Sequence, residues 1–79
     1  MKYEWTVKKE LNVTEDMIDS MAEDIQEYRS LYGHRTVLSA ARAIVEDSIG
    51  YELDTDDTIP EWVITEITNL VVKSYKKVA

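Results

Sequence analysis

Seventy-nine residues without a cysteine make one small domain with no disulfide brace, no thiolate metal ligand and no thiol nucleophile. Sixteen acidic residues against nine basic ones set the net charge at −7, which repels nucleic acid and anionic membranes and attracts basic protein surfaces. An apolar fraction of 44% is normal for a folded domain and too high for a disordered acidic tail.

Residues 2–8 alternate, with Tyr3, Trp5 and Val7 on one side and Lys2, Glu4, Thr6 and Lys8 on the other. That period predicts a strand or extended arm with one buried face. A first helix is predicted over 15–32. Thr14 is a good N-cap, Glu15 and Asp16 suit the positive end of the helix dipole, and Gly33 is a natural stop. Ile18, Met21, Ile25, Tyr28 and Tyr32 recur three and four residues apart, with Met17, Ala22 and Leu31 beside them. This is one apolar stripe.

A second helix is predicted over 37–49, capped by Thr36 and ended by Gly50. Val37, Leu38, Ala40, Ala41, Ile44, Val45 and Ile49 cover more than half its circumference. Such a helix is buried on two sides, or buried on one and paired with another chain on the other. Tyr51–Asp57 reads as a short acidic loop. Thr58-Ile59-Pro60-Glu61 then forms a capping box for a third helix over 59–77, whose main face is Val63, Ile67, Leu70, Val71, Ser74 and Val78. The expected fold is therefore mainly α: an N-terminal strand or arm and three helices in a single domain spanning 1–79. A core this small, with no disulfide, favours a homodimer. Helix two or the segment with Trp5 would form the contact. Tyr3, Trp5 and Trp62 are expected to be partly exposed or to lie at that contact, where Tyr and Trp are favoured.

Charge is unevenly spread. Between Glu10 and Glu66 lie fifteen acids against Arg29, Arg35 and Arg42, a local charge of −12, while both ends are basic. One acidic set, Glu15, Asp16, Asp19, Glu23, Asp24 and Glu27, sits on the first helix. Six charges over about 18 Å of helix give one per about 3 Å, close to the ~3.4 Å phosphate spacing along a DNA strand. Arg29 is the only cation nearby in sequence. A second set is Glu46, Asp47, Glu52, Asp54, Asp56, Asp57 and Glu61. Asp54-x-Asp56 starts like a calcium loop, but Ile59 stands where glycine is needed and Thr65 where glutamate is needed. No metal or cofactor is expected.

His34 is the only histidine, and nothing in the sequence fixes a nucleophile or second polar group beside it. A catalytic role is therefore not expected. The most apolar stretch, Ile59–Val72, is interrupted by Glu61, Glu66 and Asn69, so it is no membrane span. With no apolar leader in Met-Lys-Tyr-Glu-Trp, the expected location is cytoplasmic.

In size, charge and lack of catalytic groups the chain resembles the small acidic inhibitors of the DNA-mimic kind encoded by phages and mobile elements. The resemblance implies a protein-binding module that occupies the nucleic-acid site of a basic protein, such as a histone-like nucleoid protein, a polymerase or a defence nuclease. The resemblance carries no motif and so no site residues; the charge pattern itself makes Asp16, Asp19, Glu23, Asp24, Glu27, Glu46, Asp47, Glu52, Asp54, Asp56 and Asp57 the expected binding residues, and the chain would not bind nucleic acid itself. The segment Trp5–Ile49, ordered as strand, helix, Gly-His-Arg-Thr turn and helix, also resembles ribbon-helix-helix DNA-binding regulators and antitoxins, whose strands pair across a dimer. That alternative implies DNA binding through Lys8, Lys9 and Arg35.

Overall fold

The computed structural model describes residues 2–5, 9–53 and 59–78. Two short strands, β1 (Lys2–Trp5) and β2 (Lys9–Asn12), are followed by α1 (Glu15–Glu23), α2 (Ile25–Tyr32), α3 (Val37–Leu53) and α4 (Glu61–Val78). The mainly helical class agrees with the sequence reading. The N-terminus does not, because the predicted single strand is half of an antiparallel hairpin. Tyr3 pairs with Leu11 and Trp5 with Lys9. The alternation resumes in and after β2, with Leu11 and Val13 buried and Glu10 and Asn12 exposed.

The hairpin buries two of the three aromatics expected to be partly exposed or to lie at a chain contact. Tyr3 and Trp5 are each only 8% exposed and join Leu11 and Val13 in the common core. Trp62, by contrast, is 49% exposed, with its ring 6.3 Å from that of Tyr3. Within the chain, β1 pairs with β2.

Thr14 caps α1 as expected, its Oγ1 accepting from the Met17 N–H at 3.2 Å. The predicted helix 15–32 is interrupted at Asp24, whose N–H bonds to the Met21 carbonyl three residues back. This tighter turn divides the helix, and α2 restarts with the Tyr28 N–H on the Asp24 carbonyl. The apolar stripe crosses the break, so periodicity gives no sign of it. Gly33 ends α2 at φ 69°, a left-handed conformation that costs glycine little.

Thr36 caps α3, its Oγ1 accepting from the Ser39 N–H at 3.0 Å. Gly50 does not stop α3, which runs on to Leu53, so Tyr51–Leu53 are helical rather than loop. A glycine inside a helix costs only about 1 kcal/mol, less than the packing of an otherwise apolar helix supplies. The α3 helix packs against α4, α2 and α1, burying Ala40, Ala41, Ile44, Val45 and Ile49. Leu38, on the same wide apolar face, stays 55% exposed. The α4 helix begins two residues later than predicted, with the Pro60 carbonyl accepting from Val63 and Ile64 N–H groups. The cap assigned to Thr58 lies outside the described residues. Val63, Ile67 and Val71 of α4 are fully buried against α1 and α3. Thr68 is buried beside them, its hydroxyl donating to the Ile64 carbonyl at 2.6 Å. No helix among the described residues is long and apolar enough to cross a membrane.

Candidate functional site: the acidic surface

The carboxylates of the first acidic set point outward because the stripe Ile18, Met21, Ala22 and Ile25, running from α1 into α2, faces the core. Glu15, Asp16, Asp19, Glu23, Asp24 and Glu27 are all exposed. Among the described residues, none has an ammonium or guanidinium within the 4.0 Å of an ion pair; those pairs belong to Arg42. Arg29 does not turn toward them but donates from Nη2 to the Arg35 carbonyl at 3.3 Å.

The fold divides these acids between two sides of α1. Glu15, Asp19 and Glu23, four residues apart, share the wall of a groove of about 520 Å³ with Ser74, Tyr75 and Lys77 of α4, over Ala22. The groove continues past Asp19 and Ser74 toward Ile18, Leu70 and Lys73. Ser74 Oγ donates to Asp19 Oδ1 at 2.8 Å, and Gln26 Nε2 donates to the Tyr75 hydroxyl. Asp16 lies on the other flank, beside Met17, Ser20 and Ser48 of α3. Here the sequence reading needs correction: Arg29 is not the only cation near this helix. The basic end of α4 brings Lys73 and Lys77 onto the groove wall opposite Glu15 and Asp19. Periodicity within one helix could not reveal this, because it depends on which helices are neighbours.

The second acidic set is partly engaged. Arg42 donates from Nε to Glu46 Oε1 at 3.0 Å and from Nη2 to Glu61 Oε1, tying α3 to α4. These two carboxylates hold the guanidinium protonated even more firmly than usual. Asp47 accepts from the Tyr28 hydroxyl at 3.0 Å. Burial first, and then this bond to a carboxylate, push the Tyr28 phenol upward. The Tyr3 phenol is also raised, by burial and then by the charge of Glu66. Glu46 and Asp47 thus remain exposed but already serve internal partners. Glu52 lies on α3, and the predicted binding residues Asp54, Asp56 and Asp57 lie outside the described residues.

His34 sits in the α2–α3 turn with Nδ1 2.9 Å from Ser39 Oγ. Among the described residues no cluster of His, Asp and Glu has the arrangement of a metal site. Leu31, Tyr32 and Leu38, 67%, 66% and 55% exposed, flank the same turn. The sequence reading had placed all three in apolar faces. They extend past the point where α2 and α3 cease to be covered.

No family model, curated protein or solved structure matches this chain.

Proposed function

We propose that this chain is an acidic protein-binding module that acts as a DNA mimic, occupying the nucleic-acid site of a basic protein. The observation that carries the reading is the set of six exposed carboxylates, four on α1, Asp24 at the break and Glu27 on α2, without a cation at ion-pair distance among the described residues. Ordinary surfaces intersperse both signs. Carboxylates spaced along a rigid helix can accept the Lys and Arg side chains that would otherwise grip phosphates. The helix already holds them in place, so little ordering entropy is lost on binding. Glu46 and Asp47, exposed but internally bonded, extend the acidic field rather than supply free acceptors.

The test is capture from cell lysate on the immobilised chain at low salt, followed by elution with duplex DNA. Mimicry predicts that DNA-binding proteins are retained, that duplex DNA releases them, and that rising salt weakens retention. Direct gel-shift of duplex DNA by the free chain would instead favour the ribbon-helix-helix alternative.

A further inference from the structure

The groove between α1 and α4 is not a uniform acidic face. One end has Glu15, Asp19 and Glu23 on the α1 wall and Lys77 opposite; the other has Lys73 and Lys77 against Glu15 and Asp19. The first end is net negative and the second is balanced. The negative end also has apolar surface, from Ala22 below and the half-buried Tyr75 ring at the side. The bond from Gln26 holds that ring, and the bond from Ser74 holds Asp19.

We propose that this end of the groove receives an arginine side chain of the partner protein. The proposal rests on the protein-binding reading above and assigns it a specific anchor. A guanidinium suits the place better than an ammonium. It is planar, weakly hydrated, and able to lie on an aromatic or apolar surface while its edge donates to carboxylates. Its methylene stem would cover Ala22 while Asp19 and Glu23 accept from the head. Lys77, on the opposite wall, is the chain's own competitor for these carboxylates. The remaining acids of the first set, Asp16, Asp24 and Glu27, line neither end of the groove and would pair with other cations of the partner.

The test is a titration of isotope-labelled protein with the blocked tripeptide Gly-Arg-Gly at low salt, followed through amide NMR shifts, with Gly-Lys-Gly in parallel. Saturable shifts are expected at Asp19, Ala22, Glu23, Ser74 and Tyr75, with the arginine peptide binding more tightly. Asp19→Asn or Glu23→Gln should weaken binding roughly two- to fivefold, the range an exposed charge pair supplies. Lys77→Gln should tighten it more than Lys2→Gln, which changes the net charge equally but lies on β1. Shifts spread evenly over all exposed acids would overturn the proposal, as would equal binding of the lysine peptide or equal effects of the two lysine substitutions. The broader reading is judged separately, by whether the intact chain displaces DNA from a basic protein. If it does so while the tripeptide finds no site, the groove assignment alone falls. If the chain displaces no DNA, the mimicry reading falls whatever the tripeptide does.

Discussion

Ser74 Oγ donates to Asp19 Oδ1 at 2.8 Å across 55 residues of sequence. This bond fastens the basic end of α4 along the most acidic helix of the chain. It places one acid of the first set in a fixed position and brings Lys73 and Lys77 near it. Removing the hydroxyl by Ser74→Ala should cost about 0.5–1 kcal/mol, because water can replace an exposed partner. Urea unfolding measures the cost. A loss of several kcal/mol would mean that the contact carries more packing than its exposure indicates.

The core should be sensitive out of proportion to its size. Ile25 and Ile67 are fully buried in the common cluster. Either one replaced by alanine should lose about 2–5 kcal/mol. Domains have only about 5–15 kcal/mol of stability to lose, and a short chain lies toward the low end. Leu31→Ala, at a side chain 67% exposed, should stay within about 0.5 kcal/mol. Thermal or urea melts of the three variants check the contrast.

Alkaline pH should destabilise the fold through its tyrosines. The Tyr3 and Tyr28 phenols are raised above the ordinary 10.0, so the folded state holds these protons more tightly than the unfolded state does. Their contribution is fully present below pH 10 and is lost as pH rises through the raised folded values. Tyr28→Phe should flatten part of the decline above that pH. Unfolding measured on both sides of pH 10, with tyrosinate absorbance followed in parallel, gives the answer.

Helix caps should behave as local stability determinants. Thr14→Ala removes the acceptor for the Met17 N–H and should cost about 1 kcal/mol. Thr14→Asn or Thr14→Ser should restore most of it. Chemical unfolding of the three variants is the comparison, and equal losses in all three would show that the cap bond is not the cause.

Much of this architecture is legible locally. Thr14, Thr36 and Gly33 mark helix ends through chemistry confined to a few residues, and the stripe from Ile18 to Tyr28 points α1 and α2 at the core. Missed features depend on tertiary context. Gly50 is a poor helix former by itself, yet packing carries α3 through it. Asp24 breaks a helix whose apolar period continues unaltered. The second strand escapes notice because Lys9–Asn12 is too short to show a period of its own. Trp5 is buried within the chain, whereas Leu38 of helix two stays 55% exposed. At the candidate site, the outward face of the α1 acids follows directly from the stripe. The groove with α4 and the engagement of Glu46, Glu61 and Asp47 require knowing which helices meet.

The central claim is that the α1 and α2 carboxylates grip a basic protein in place of DNA phosphates. Its most direct test is displacement of labelled duplex from a basic DNA-binding protein, such as a histone-like nucleoid protein, by the wild type and by a variant with Asp16→Asn, Asp19→Asn, Glu23→Gln and Glu27→Gln. The wild type should displace the duplex, less effectively as salt rises. The variant, with its helical circular dichroism unchanged, should be roughly tenfold or more weaker, the combined effect of four exposed charge pairs. Equal displacement by the variant would contradict the account. So would direct binding of the duplex by the wild type that is abolished by Lys8→Ala and Lys9→Ala.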